Sequence, residues 1–132
     1  MSATGAISAV TWALILIGVG LNAVAQLLLK VATRPLAHLT DFGASTLLSA
    51  VWILARNVPF WAGMVCYGTS LCVWLAALSK APVSTAYPML SLGYVVVAAV
   101  SALWLGETLS LPKILGIALI CGGVVLVSRS AA

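Results

Sequence analysis

Charged side chains are scarce in this sequence: six Lys or Arg and two Asp or Glu among 132 residues, or 6%. An average soluble domain carries about 25% charged residues. Hydrophobic residues make up 64% of the chain. A soluble fold needs polar side chains over its surface, and this composition cannot supply them. It therefore excludes soluble enzymes and nucleic-acid binders and indicates an integral membrane protein.

Acidic residues are the scarcest group, since Asp41 and Glu107 are the only two and both lie outside the apolar runs. Proton-coupled export of cations requires an ionisable carboxylate within the membrane, so the sequence argues against a proton-driven drug pump. The three cysteines have no metal-ligand spacing. Nucleophile–base pairs and cofactor motifs are also missing. We expect a protein that is not an enzyme and holds no metal or cofactor.

Charge-free runs locate the membrane spans, because a spanning helix needs about 20 predominantly apolar residues. The runs cover residues 7–29, 57–79, 81–106 and 114–128. Ser110 can cap the last helix and Pro112 suits its first turn. We predict an all-α membrane protein, a single domain over residues 1–132, with four spans at about 7–31, 58–79, 83–105 and 110–128.

A fifth apolar stretch, residues 42–55, is too short for a full span and lies between Asp41 and Arg56. It fits either an interfacial helix or an extension of the second span. The charges give little information on orientation, because the positive-inside bias is weak. One side of the membrane would hold Lys30, Arg34, Arg56 and Lys113, and the other Lys80 and Arg129. Either a partner fixes the topology, or the chain inserts both ways as an antiparallel dimer.

The first predicted helix carries a polar stripe: Asn22, Gln26, Lys30 and Arg34 follow one another at intervals of four residues. Residues four apart share a helix face, and Asn22 to Lys30 covers about 12 Å. The amides could bind a sugar while the two cations bind a phosphate. The alternative is that the amides join helices and the cations mark the interface. The alignment of Asn22, Gln26 and Lys30 favours a site.

The third predicted helix has a second polar face, on which Tyr87, Ser91 and Tyr94 recur at three- and four-residue spacing. Pro88 removes a backbone hydrogen bond there and should kink the helix, which suits gating. The alternative is a kinked packing helix. On the second helix Trp74 could stack on a sugar ring, although a lipid-facing or partner-facing tryptophan is the simpler interpretation.

The fourth predicted helix contains small residues at close-packing intervals and no polar residue suited to binding. These residues let two helix backbones approach closely, so we expect an assembly face. The predicted dimerisation residues are Gly116, Ala118, Gly122 and Gly123.

Several segments resemble one group of transporters. Residues 81–94 (APVSTAYPMLSLGY) and 106–110 (GETLS) are similar to EamA-like drug/metabolite transporters. Residues 116–124 (GIALICGGV) resemble the dimerisation motif of small multidrug resistance proteins. Residues 86–92 (AYPMLSL) are most similar to the subunits of the aminoarabinose-phosphoundecaprenol flippase. The resemblance covers nearly the whole chain and is weakest in residues 34–56.

Departures from the family pattern distinguish its branches. Asn22 stands where the multidrug exporters have a membrane glutamate, and Leu90 stands where they have a tryptophan. Tyr87 matches their substrate-contacting tyrosine. The flippase subunits likewise lack the glutamate and keep the Tyr-Pro pair, so the resemblance favours the flippase branch over drug/proton antiport.

The resemblance implies a transporter in the bacterial inner membrane that flips an undecaprenyl-phosphate-linked (amino)sugar, the lipid used for lipid A modification. It implies a homodimer, or a heterodimer with a similar small subunit. The phosphate would lie on Lys30, with the sugar among Asn22, Gln26, Tyr87 and Ser91. Further candidates are Arg34, Trp74 and Tyr94. The alternatives are a small-molecule or cation exporter and a non-transporting assembly subunit.

Overall fold

The computed structural model describes residues 7–39 and 43–130, and this part of the chain is helical without strands. The helices are α1 (Ala9–Ala32), a 3-10 helix (Arg34–His38), α2 (Ala44–Ala55), α3 (Val58–Leu78), α4 (Val83–Leu90), α5 (Leu92–Trp104) and α6 (Leu111–Ser130). Four helical segments are long and apolar enough to cross a membrane: Ala9–His38, Val58–Leu78, Val83–Trp104 and Leu111–Ser130. The predicted all-α membrane fold with four spans is confirmed.

The short apolar stretch forms a separate helix, α2, so the prediction of an extension of the second span is wrong. Phe42, at the start of that prediction, lies outside the described residues. The helix ends at Ala55, and Asn57 begins the next one as its cap. None of the residues of α2 is buried. The Arg56 guanidinium lies 5.5 Å from the Trp52 ring centre, an arrangement that suits the interfacial position, which stays a prediction.

Side-chain caps fix where α1 and α3 begin. The Ser8 hydroxyl accepts a hydrogen bond from the Thr11 N–H at 3.2 Å, and the Asn57 side chain accepts one from Phe60 at 3.3 Å. Such caps satisfy donors that the first helical turn leaves free. Asn57 also donates to the Ala32 carbonyl at 3.4 Å. This second bond joins the end of α1 to the start of α3.

The main helix contact is between α1 and α3, where glycine allows a close approach. A Cβ atom on Gly63 would lie 3.1 Å from Leu29 Cγ and 3.3 Å from the Ala25 carbonyl oxygen. Further along the same contact, the buried Ser70 hydroxyl donates to the Gly18 carbonyl at 2.8 Å. Small residues and a serine hydrogen bond are common at helix interfaces in membranes. Because α3 covers one side of α1, this contact determines which neighbouring face of α1 is left open.

The third span is divided at Ser91 into α4 and α5, as the position of Pro88 predicts. Proline cannot donate the usual backbone hydrogen bond, so the ladder is interrupted there. Ser91 donates from both its N–H and its hydroxyl to the Pro88 carbonyl. The Ser91 carbonyl in turn accepts from Tyr94 at 3.0 Å, and α5 continues.

The last span, α6, packs sparsely against the rest of the chain. All 20 of its residues are described, and only Val124 among them is buried. A Cβ atom on Gly116, Gly122 or Gly123 would meet nothing within 4 Å. These glycines and Ala118 therefore lie on an open surface. Their role in dimerisation stays a prediction.

A pair of glycine substitutions on α3 tests the α1–α3 contact. Gly63→Ala should have a free energy of unfolding about 1–3 kcal/mol lower than that of Gly68→Ala, because both alanines favour the helix but only the methyl group at position 63 would crowd Leu29 and the Ala25 carbonyl. Gly68→Ala is the matched control, since a Cβ there meets nothing within 4 Å. It should be neutral or stabilising, because alanine favours helix over glycine. Thermal unfolding in detergent measures both, and equal effects would contradict the close approach.

Candidate functional site: a groove between α1, α3 and α4–α5

Two adjoining cavities form a groove between α1, α3 and the α4–α5 segment. Their volumes are about 180 and 300 Å³. Asn22 and Leu90 line both cavities and so stand at the boundary between them. The larger cavity reaches the lower end of the range of small-molecule sites, about 300–1,000 Å³.

The larger cavity brings together five residues that the sequence singles out, from the first and the third span, which are distant in the chain. Its lining includes Asn22, Gln26, Tyr87, Ser91 and Tyr94. The polar stripe of α1 therefore faces the polar face of the proline-containing segment. Tyr87 and Tyr94 are 55% and 69% exposed, so the groove is open along their side. Substrate contact by these five residues stays a prediction.

The smaller cavity is lined by two aromatic residues, Tyr67 and Trp74, and Trp74 is the more deeply buried of the two. Trp74 is only 9% exposed. Its ring lies edge-to-face on Tyr87, with 5.9 Å between ring centres. The interpretation of Trp74 as a lipid-facing residue is therefore wrong: the ring fills the space between α3 and α4 and supports Tyr87.

Other lining residues did not stand out in the sequence as candidates. Tyr67 and Ser70 share a helix face with Trp74, and that spacing was the available signal for them. Leu71 and Gly93 gave no chemical signal, because apolar residues are common in every span. Leu90 stands out in the sequence only as a departure from the exporters' tryptophan. All three were placed in the groove by the packing of the helices alone.

The two cationic residues of the α1 stripe lie outside the groove lining. Lys30 is one helical turn beyond Gln26, and its Nζ lies 3.4 Å from Glu107 Oε1. Among residues 7–39 and 43–130, the structure shows this one salt bridge. Arg34 is exposed at the start of the 3-10 helix. Phosphate binding by Lys30 or Arg34 stays a prediction.

The described residues that line the two cavities are uncharged: they are amides, hydroxyls, aromatic rings and apolar groups. Amides and hydroxyls can donate and accept hydrogen bonds. Such a lining suits a hydroxylated group more than a bare ion. The nearest charge on the stripe is Lys30, at one end of the groove, and its partner Glu107 lies in the turn between α5 and α6.

Curated relatives with this sequence pattern are flippase subunits by name. A probable 4-amino-4-deoxy-L-arabinose-phosphoundecaprenol flippase subunit ArnF of Sodalis glossinidius is 36% identical over 118 residues, 88% of this chain and 87% of the relative. A subunit ArnE of Escherichia fergusonii with the same description is 35% identical over 122 residues, 90% of this chain and 97% of the relative. An ArnF of Proteus mirabilis is 38% identical over 111 residues, covering 80% and 82% of the two chains.

No solved structure matches this chain. Residues 35–120 match the family described as Small Multidrug Resistance protein. That match, together with the relatives that cover most of the chain, confirms the resemblance stated from the sequence. The chain is a multi-pass membrane protein that belongs to the small multidrug resistance family.

Proposed function

We propose that this protein is a flippase subunit that moves an undecaprenyl-phosphate-linked aminosugar across the bacterial inner membrane. The observation that carries the proposal is the groove itself: an uncharged polar lining with a lysine one turn beyond its end. A sugar phosphate has the matching pattern of hydroxyl groups beside an anion. The names of the relatives supply the same substrate class.

In this proposal Lys30 binds the phosphate, and Asn22 and Gln26 bind sugar hydroxyls. Asn22 to Lys30 spans about 12 Å of helix, which a monosaccharide phosphate can bridge. Across the groove, Tyr87 offers a phenol group. The Ser91 hydroxyl donates to the Pro88 carbonyl, so its oxygen is free to accept from the ligand. Arg34 would add a second cation near the interface.

The polyprenyl tail would remain in lipid while the head group lies in the groove. Tyr87 and Tyr94 are more than half exposed on the open side, where the tail would leave. The interruption at Ser91 lets α4 and α5 change their relative angle. Pro88 would therefore serve as the gating kink, and the ring of Trp74 on α3 would support Tyr87 on α4 beside it.

We also propose that the four spans act as one domain and pair with a second small subunit of the same kind, as a heterodimer or a homodimer. The relatives are named as subunits. The open glycine surface of α6 supplies a face on which two helices can approach closely.

A vesicle assay tests the transport proposal. The substrate carries a primary amine, so a membrane-impermeant amine reagent labels only the outer leaflet. Wild-type protein with its partner should move the lipid from the inner leaflet to the outer leaflet, where the reagent labels it. Lys30→Gln and Asn22→Ala should each slow this movement at least about tenfold, which corresponds to losing about 1.4 kcal/mol of interaction. Lys113→Gln is the control, because Lys113 lies in the exposed first turn of α6.

Three results would contradict the proposal. The first is full flipping by Lys30→Gln and Asn22→Ala variants that insert normally. The second is proton-driven uptake of a quaternary ammonium by everted vesicles, which would identify a cation exporter. A stable complex that raises a partner's level but never exposes the lipid would identify an assembly subunit.

A bulky substitution at Leu90 tests whether the groove is the binding site. Leu90 borders both cavities, so Leu90→Trp should fill the boundary and weaken binding of the lipid-linked sugar at least about tenfold. Leu75→Trp is the control on α3, where Leu75 is 58% exposed. Binding to purified protein in nanodiscs measures both. Unchanged binding by a folded Leu90→Trp protein would place the site elsewhere.

Substitution of a glycine on α6 tests the assembly face. Gly122→Leu should weaken dimerisation at least about tenfold, because a large side chain separates the two helices. The fold of one subunit should tolerate it, since a Cβ there meets nothing within 4 Å. Gly20→Leu on α1 is the control, because it also has open space around it. Crosslinking in the membrane reports the dimer fraction, and equal fractions in both variants would contradict the assignment.

A further inference from the structure

We propose that the Glu107 carboxylate and the phosphate of the lipid compete for Lys30, so that Glu107 holds the lysine at the end of the groove until the phosphate replaces it. This inference rests on the proposed function, because it assumes that Lys30 binds the phosphate. It adds Glu107 to the site as a positioning residue. The sequence shows Glu107 only as one of two acidic residues, both outside the apolar runs.

The position of Lys30 makes the exchange geometrically simple. Gln26 lines the larger cavity, and Lys30 follows it on the same face of α1, about 6 Å further along the axis. The flexible stem of a lysine can cover that distance. The Lys30 ammonium can therefore point to Glu107 or toward the groove without movement of the helix backbone.

The backbone around Glu107 is fixed by its own turn. Gly106 has a φ of 70°, a conformation that glycine adopts without strain. The turn lets the Glu107 N–H donate to the Ser101 carbonyl at 3.1 Å. Ser101 is only 6% exposed. The carboxylate therefore projects from a tethered backbone, which keeps it close to the end of α1.

The strength of the pair also suits an exchange. The Lys30 and Glu107 side chains are 60% and 37% exposed, and exposed ion pairs contribute little to stability. An incoming phosphate offers the same ammonium a charge-assisted bond and more acceptor oxygens. Since both anions are negative, they repel when they share one cation. Binding of the phosphate should therefore release Glu107.

Release of Glu107 has a structural consequence. The pair joins the end of α1 to the turn between α5 and α6. When the phosphate takes Lys30, that turn loses this link to α1. Occupancy of the groove is then coupled to the freedom of α5 and α6, the helices that this turn joins.

Binding of two probes to purified protein in nanodiscs tests the competition. Undecaprenyl phosphate carries the anion and undecaprenol lacks it. Glu107→Gln should bind undecaprenyl phosphate about threefold or more tightly than wild type, because the internal competitor is removed. Glu107→Asp should bind as wild type does. Undecaprenol should bind equally to all variants, because it has no phosphate to compete with Glu107. A general change in structure would alter the binding of both lipids.

The lysine variants separate this inference from the proposed function. Lys30→Gln should bind undecaprenyl phosphate at least about tenfold more weakly, and Lys30→Gln/Glu107→Gln should match it. If Lys30→Gln binds as tightly as wild type, the phosphate role of Lys30 fails and this inference fails with it. If Lys30→Gln weakens binding but Glu107→Gln does not tighten it, only the competition fails. Lys113→Gln is the same-side control.

A chemical crosslink reports the pair directly. A carbodiimide activates the Glu107 carboxylate, the Lys30 amine attacks it, and an amide forms while the reagent leaves as a urea. The product has lost one water, which peptide mass mapping detects. Undecaprenyl phosphate should suppress this crosslink, and undecaprenol and inorganic phosphate at the same concentration should not. Equal crosslinking with all probes would overturn the exchange, and equal suppression by inorganic phosphate would overturn the assignment to a lipid.

Discussion

The packing of α1 on α3 is the contact on which the rest of the structure depends. The helices approach closely at Gly63, where a Cβ would lie 3.1 Å from Leu29, and a buried hydrogen bond joins Ser70 to the Gly18 carbonyl. In lipid there is no hydrophobic force between helices, so close backbone approach and interhelical hydrogen bonds carry the association. With one side of α1 fixed in this way, Asn22 and Gln26 lie along the open edge of the contact. The groove exists because that edge is left uncovered by α3.

The other wall of the groove comes from an interrupted helix. Pro88 cannot donate a backbone hydrogen bond, and Ser91 compensates locally by donating to the Pro88 carbonyl. The same short stretch carries Tyr87, whose ring is supported by the buried Trp74. The contact between Trp74 on α3 and Tyr87 on α4 holds one part of this wall. The interruption at Ser91 supplies the point at which the angle between α4 and α5 can change.

Spacing along single helices was predictable from the sequence, and contacts between helices were not. The charge-free runs located the spans, and the four-residue intervals grouped Asn22 with Gln26, because both signals depend on one helix alone. The burial of Trp74 depends on where α4 packs, and an isolated tryptophan in a span fits lipid equally well. The pairing of Lys30 with Glu107 joins residues far apart in the chain, and their spacing contains no signal for it.

The distribution of charge determines what kind of ligand the groove favours. A cationic ligand deep in the membrane needs a counter-charge, because an uncompensated ion in a low dielectric is strongly disfavoured. The described lining offers no such anion, and Glu107 stands at one end beside Lys30. An anionic head group can instead keep its charge near that end and place only hydroxyl groups along the amides. In the proposed exchange Lys30 is never left without an anionic partner, because the phosphate takes the place of Glu107 beside it.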